Sequence, residues 1–313
     1  MTGTTLAIGA YTAGELAALR DELGAAHIAG PDMLGGLDAA ARAAVTAVAY
    51  KGQARFGAAE MDLLPRLGIV ANYGVGYDAI DLAAARARGV AVTNTPDVLT
   101  DDVADLAVAM LLAQARDLIG ADRFVRAGAW AATGAYPLQR KVSGARAGIL
   151  GLGRIGRAIA ARLAAFDMEI HYHARGPKQT PGWTFHADPV ELARGVDFLV
   201  VALVGGPETA GYVSAAVIEA LGPKGVLVNI ARGSCVDEAA LLDALETGRL
   251  GGAALDVFRN EPDIDPRFRA LTNVVLQPHQ ASATDATRAA MARLQRDNIA
   301  AFHAGCPLPT PVV

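Results

Sequence analysis

Three absences narrow what this chain can be. Cysteine is nearly missing: the 313 residues hold only Cys235 and Cys306. These are spaced neither as a metal knuckle nor as a disulfide framework, so a reducing cytoplasm is the expected setting. Runs of Lys and Arg are missing as well. With a formal net charge of -4, nothing points to a nucleic-acid partner or an anionic membrane surface. Long hydrophobic runs are the third absence. No apolar stretch reaches the roughly 20 residues needed to cross a bilayer, and Met1–Ala10 has no basic segment leading into a long apolar one, so no signal peptide is expected.

What is present is an Ala- and Gly-rich chain, 52% hydrophobic, with enough apolar mass for two cores and too much for a disordered polymer. Its length exceeds the roughly 250–300 residues at which one core stops growing, so two domains are expected. Short apolar runs at Thr5–Ile8, Val45–Tyr50, Leu67–Asn72 and Val90–Thr93 alternate with helical stretches such as Ala13–Leu23 and Ala79–Arg88. A second series of strand candidates follows at Ala147–Leu150, Glu169–His173, Val196–Ala202, Gly225–Ile230, Gly252–Leu255 and Val274–Leu276. Apolar strands alternating with helices imply parallel sheets covered on both faces. A long helix is expected over Asp101–Ala127, with one face against a second copy of the chain. Another is expected over Thr284–Ala304, ended by Gly305, Pro307 and Pro309. Crossings near residues 98 and 287 divide the chain into 1–97 with 288–313 and an inserted 98–287, and the cleft between the two is the expected reaction site.

The strand Ala147–Leu150 runs directly into Gly151-Leu152-Gly153-Arg154-Ile155-Gly156 and then into a helical segment. G-x-G-x-x-G is a weak signal alone, but between a strand and a helix each glycine has a task. Gly151 makes the tight turn, Gly153 lets backbone approach a pyrophosphate, and Gly156 permits close helix–strand packing. The helix N-terminus then offers N–H groups to phosphate. The next strand decides which dinucleotide binds. An NAD site places a carboxylate at its end, about 20 residues on; here that strand ends in Ala174-Arg175. A guanidinium suits a 2′-phosphate, so NADP(H) is expected over NAD(H), with Lys178 either adding charge or simply solvated.

Three more strand ends carry reactive groups. Arg232 follows Asn229-Ile230-Ala231, and a fixed cationic fork there suits a carboxylate or a developing oxyanion. Glu261 lies in Asp256-Val257-Phe258-Arg259-Asn260-Glu261-Pro262. His279 lies in Gln277-Pro278-His279-Gln280-Ala281-Ser282. Delivering hydride to a ketone requires a proton at oxygen, and histidine is the side chain suited to that near neutral pH. Glu261 is expected to bond the far ring nitrogen and fix its tautomer.

Taken together with Asn72-Tyr73-Gly74-Val75-Gly76-Tyr77-Asp78 and Asn94–Asp105, these segments resemble the D-2-hydroxyacid dehydrogenases, in particular the glyoxylate/hydroxypyruvate reductase branch with its hydroxyphenylpyruvate-reducing members. The resemblance covers the chain from about residue 45 to the end. It implies an α/β fold of two doubly wound parallel-sheet domains, a Rossmann-type domain inserted into a flavodoxin-like one. It implies catalysis by Arg232, Glu261 and His279, and a substrate carboxylate held by the N–H groups of Gly74, Val75 and Gly76, as successive amides flanked by glycines permit. Lys51, after an early strand, lines the substrate pocket in this reading, with or without touching substrate. Trp130 either reaches a neighbouring subunit's site or packs in a core or dimer.

Further cofactor contacts implied are Leu203, Pro207, Thr209, Ile230, Ala231, Ala281 and Thr100. Asp256 either accepts from the carboxamide or caps a helix. Glu261 stands where formate dehydrogenases use Gln, and a phosphorylated substrate calls for extra cations near Lys51 or Arg55. The expected protein is a homodimeric reductase of a small 2-keto acid. The competing reading is a non-catalytic dinucleotide sensor, against which stands the complete Arg–Glu–His set.

Overall fold

The computed structural model describes residues 4–313, and the chain divides into two compact units. Unit 1 comprises the residues up to Leu99 together with Thr284–Val313, and unit 2 comprises Thr100–Ala283.

Unit 1 runs β1 (Thr4–Gly9), α1 (Ala13–Leu23), β2 (Ala26–Ile28), α2 (Ala39–Ala44), β3 (Val45–Lys51), α3 (Ala58–Asp62), β4 (Ile69–Asn72), α4 (Leu82–Ala87) and β5 (Ala91–Thr93). Its five strands are all parallel, in the order β2-β1-β3-β4-β5, which is the flavodoxin-like order. The period-two alternation of strand side chains separates large residues from small ones. Leu6, Ile8, Val48, Tyr50 and Val70 share one core with Phe56 and Leu64. Ala7, Ala47, Ala49 and Ala71 share the other with Leu19 and Ile299. The alanine face lets helices lie close to the sheet. One of these is α12 (Asp285–His303), capped by Thr284, whose side chain accepts from Thr287 N–H. The buried Gln295 of α12 donates to the carbonyls of Tyr50 and Ala71, 3.2 and 2.8 Å away, which ties the ends of β3 and β4 together. Gly305, at φ 66, follows the end of α12, and Val312 N–H then bonds Val92 O beside β5.

Unit 2 begins with α5 (Thr100–Ala115), α6 (Leu118–Arg126) and α7 (Ala129–Thr133). The single helix expected over Asp101–Ala127 is therefore two. Asp117 adopts φ 43, a left-handed conformation, and its carboxylate accepts from Gly120 N–H as the cap of α6. Asp is among the few non-glycine residues that visit this region readily, and it is also a good cap. There follow β6 (Arg146–Leu150), α8 (Arg154–Ala164), β7 (Glu169–His173), β8 (Thr184–His186), α9 (Pro189–Gly195), β9 (Phe198–Val201), α10 (Ala215–Leu221), β10 (Val226–Asn229), α11 (Glu238–Glu246), β11 (Gly252–Leu255) and β12 (Val274–Leu276). The sheet order β12-β11-β10-β9-β6-β7-β8 is parallel throughout. It is the 3-2-1-4-5-6 order of dinucleotide-binding sheets with one further strand, and the order reverses between β6 and β9. No helix among the described residues is long and apolar enough to cross a membrane.

Candidate active site

The register of unit 2 aligns His173, Leu150, Val201, Asn229, Leu255 and Leu276 across one sheet edge. The turns that leave that edge carry nearly every candidate residue. Ligands of open α/β sheets bind outside this carboxyl edge.

At the switch point β6 enters the glycine motif. Gly151 holds φ +96, and a Cβ there would lie 2.6 Å from Ala202 O. A Cβ on Gly156 would lie 2.0 Å from Gly151 O, so α8 packs directly on its own turn. Gly153 is different, since a Cβ there would meet nothing within 4 Å. Gly153 is also the N-cap of α8 and supplies no side-chain bond to the helix N–H groups. A strained turn, a close helix contact and an open face over an eleven-residue helix N-terminus fit a pyrophosphate. Leu152 is buried, while Arg154 and Arg175 are exposed. No carboxylate stands at the end of β7, where Arg175 and Lys178 face solvent. Leu203 follows β9, and Pro207–Thr209 form a short 3-10 turn in which Thr209 Oγ1 donates to Val204 O at 2.6 Å. Thr100 opens α5.

The catalytic candidates gather at the far side of the same edge. His279 Nδ1 lies 2.6 Å from Glu261 Oε2. The other carboxylate oxygen, Oε1, accepts from Phe258 N–H at 2.8 Å, so the carboxylate that orients the ring is itself oriented. The His279 backbone is left-handed, at φ 52, a conformation that costs a non-glycine residue about 1–3 kcal/mol and needs outside support. Asp256 supplies that support. Its carbonyl accepts from His279 N–H, its Oδ1 from Gln280 N–H and its Oδ2 from Ala281 N–H, at 2.8, 2.8 and 3.0 Å. The Asp256 side chain is fully buried, which pushes its carboxyl above the ordinary value despite the two amide bonds that oppose the shift. The carboxylate named in the sequence as a nicotinamide contact or helix cap thus clamps the histidine turn.

Arg232 sits on an equally determined turn. Asn229, buried at the end of β10, accepts from Ala231 N–H through Oδ1 and donates to Arg232 O through Nδ2, both at 3.0 Å. Ile230 and Ala231 are buried beside it. A Cβ on Gly233 would fall 2.0 Å from the Phe258 carbonyl carbon, so the arginine turn lies flat against the loop that leads to Glu261. Arg232 Nη1 donates to Ala231 O at 2.8 Å. The support given by Asn229 and Asp256 was not read from the sequence. The available signal was a polar residue ending an otherwise apolar strand in each case.

In unit 1, the turn after β4 is built by side chains that occupy its carbonyls. Asn72 donates to the carbonyls of Gly74 and Gly76, and Asn94 donates to that of Val75. Gly74 takes φ +137, and its N–H goes to Thr95 Oγ1 at 3.0 Å. Among the described residues no acceptor takes the N–H of Val75 or Gly76. Of the three amides expected to receive a carboxylate, the structure therefore gives that of Gly74 to Thr95.

Lys51, one strand away, is ion-paired. Its ammonium lies 2.8 and 2.7 Å from the two oxygens of Glu15 and 4.3 Å from the centre of the Tyr73 ring. Partial burial tends to raise the Glu15 carboxyl, but hydrogen bonds from Lys51 and Thr12 N–H and the Lys51 charge together hold it below its ordinary value. Trp130 is exposed on α7, beside Val125 and Gly128.

Similarity to known proteins identifies the family. The D-isomer specific 2-hydroxyacid dehydrogenase NAD-binding domain matches residues 108–281. The hydroxyphenylpyruvate reductase of Plectranthus scutellarioides is 51% identical over 253 residues, covering 81% of this chain and 80% of its own length. The 2-ketogluconate reductase of Gluconobacter oxydans is 49% identical over 256 residues, covering 81% of each. Among solved structures, the NADPH-dependent glyoxylate/hydroxypyruvate reductase of Sinorhizobium meliloti, in complex with NADP and malonate, matches with a TM-score of 0.94 at 43% identity over 100% of this chain and 97% of that one. The chain belongs to the D-isomer specific 2-hydroxyacid dehydrogenase family and is an NAD(P)-dependent oxidoreductase.

Proposed function

We propose that this enzyme reduces glyoxylate, hydroxypyruvate or a related 2-keto acid of the hydroxyphenylpyruvate type, with NADPH as the preferred donor. The observation that carries the reading is the 2.6 Å contact of His279 Nδ1 with a Glu261 carboxylate at the carboxyl edge of a dinucleotide-binding sheet. When bound, the nicotinamide supplies the hydride. His279 gives the substrate carbonyl oxygen a proton from Nε2, and Glu261 stabilises the imidazolium that precedes that transfer. Arg232 places a guanidinium against the carbonyl and carboxylate oxygens. The N–H groups of Val75 and Gly76 receive the carboxylate.

Gly151–Gly156 form the pyrophosphate cradle, and Arg175 takes the 2′-phosphate. Lys51 is paired with Glu15, and Arg55 with Asp81 at 3.1 Å. Neither offers surplus charge, which favours an unphosphorylated substrate. The enzyme is proposed to act as a homodimer through α6 and α7, where Leu118, Val125 and Trp130 are exposed apolar residues. A solution mass of about twice the chain's 32.2 kDa is expected at micromolar concentration, and a monomer would refute the dimer.

The function is tested by following nicotinamide absorbance with a panel of 2-keto acids. Turnover of glyoxylate or hydroxypyruvate is expected, with kcat/KM for NADPH above that for NADH. A clear NADH preference would reject the cofactor assignment, and no turnover of any acid would leave the dinucleotide-sensor reading.

A further inference from the structure

Arg175 needs more than charge to select a 2′-phosphate. A bidentate guanidinium–phosphate pair depends on geometry, and Arg175 lies on an exposed irregular segment between β7 and β8. That segment is closed at its base by one side chain. Tyr172, the penultimate residue of β7, is buried to 1% exposure, yet its hydroxyl binds the far end of the loop twice. It accepts from Lys178 N–H at 2.8 Å and donates to Lys178 O at 3.1 Å. The next carbonyl, that of Gln179, accepts from Arg157 Nη1 of α8 at 2.9 Å. The chain from Ala174 to Lys178 is thus a short closed loop, and both exposed cations, Arg175 and Lys178, are carried on it. The opposite face of β7 is anchored as well, since His173 Nε2 lies 2.6 Å from the Tyr212 hydroxyl.

We propose that Tyr172 is a positioning residue for coenzyme choice, holding the Ala174–Lys178 loop in the shape that presents Arg175 and Lys178 to a 2′-phosphate. The inference rests on the assignment of Arg175 to that phosphate. Loop order present before binding is order that binding need not create, so it strengthens the phosphate contact in particular. The adenosine and pyrophosphate contacts come from the glycine motif and the β9 turn, and these do not depend on the Tyr172 hydroxyl. Tyr172→Phe keeps the ring against Phe185, 5.5 Å away between centroids. It releases Lys178 N–H and C=O at an exposed residue where water can take both, so the fold is retained.

The test uses the full chain and two probes, adenosine 2′,5′-diphosphate and 5′-AMP, which differ only in the 2′-phosphate. Calorimetric binding of the first is expected to weaken about three- to tenfold in Tyr172→Phe, as for the loss of one or two net hydrogen bonds. Binding of the second is expected to change little. In kinetics the loss falls on KM for NADPH rather than on kcat, and the NADPH-to-NADH ratio falls. A purely structural tyrosine would weaken both probes equally, and that result overturns the proposal.

Arg175→Ala is run alongside. If it erases the preference for the 2′-phosphate while Tyr172→Phe keeps it, the positioning role fails and the coenzyme assignment stands. If Arg175→Ala itself keeps the preference, the coenzyme assignment fails and the positioning role with it. Should Tyr172→Phe not fold, Arg157→Ala releases the Gln179 end of the same loop from an exposed position and is expected to shift the two probes in the same sense. An unchanged preference in that variant refutes the proposal.

Discussion

Replacing His279 by Gln is expected to lower kcat for glyoxylate reduction by roughly 10²–10⁴, the range a positioned proton donor contributes. Glutamine can occupy the space and bond Glu261, but it has no proton to exchange near neutral pH. The loss is expected in turnover with the fold intact, because the histidine turn is held from outside the imidazole. Asp256 accepts three backbone N–H groups, those of His279, Gln280 and Ala281, and the His279 side chain is itself 35% exposed. The left-handed φ of 52° makes His279→Asn the second variant of choice, since Asn tolerates that region better than most residues. Steady-state kcat, read beside a melting curve and NADPH binding by coenzyme fluorescence, checks the expectation. Either variant turning over within about tenfold of the parent would remove His279 from the proton-donating role.

How much of this could be read in the residues depended on the range over which each constraint acts. The glycine motif was legible because its demands are local. Gly156 cannot carry a Cβ beside Gly151 O, a requirement written within six residues of chain, and Gly151 holds a φ of +96 that suits glycine. The doubly wound sheets were legible because apolar strands alternating with helices leave few topologies. The three-residue edge strands β2 and β8 were not, since Ala-His-Ile and Thr-Phe-His mix polar with apolar residues, whereas the equally short β5 and β12 read Ala-Val-Thr and Val-Val-Leu. The break between α5 and α6 leaves no periodic signal either. It turns on one aspartate, Asp117, in a left-handed conformation, while apolar residues continue on both sides of it.

The pairing of His279 with Glu261 spans 18 positions, and no local pattern announces it. Resemblance to a family named both residues, and physical chemistry supplied only the reason they belong together. What the sequence could not convey was the support: Asp256 under His279, Asn229 under Arg232, Asn72 and Asn94 turning the carbonyls of the Gly74–Gly76 turn, and Tyr172 closing the loop of Arg175. Asn229, Asn72 and Tyr172 turn back on the loop that follows their own strand, whereas Asp256 and Asn94 reach the backbone of another segment. The latter contacts depend on where strands end relative to one another, which is a property of the assembled sheet.

Arg232→Ala is expected to reduce kcat/KM for the 2-keto acid by about 10²–10³ or more, the cost typical of removing one preorganised partner of a developing oxyanion. Arg232→Lys is expected to recover only part of it. An ammonium is a point charge without the planar fork that spans two oxygens, so charge alone does not restore the geometry. The scaffold that would carry the substituted side chain survives in both variants. Asn229 still bonds Ala231 N–H and the residue-232 carbonyl, and Gly233 still lies against Phe258.

Because Arg232 is assigned to both binding and catalysis, the loss should divide between KM and kcat. An arginine used only to bind the carboxylate would raise KM and leave kcat alone. Adding millimolar guanidinium ion to Arg232→Ala offers an independent check, since a free guanidinium entering the vacated space should return some activity, and an ammonium salt at equal ionic strength should not. If Arg232→Ala keeps kcat/KM within about tenfold of the parent, the oxyanion-stabilising role is wrong.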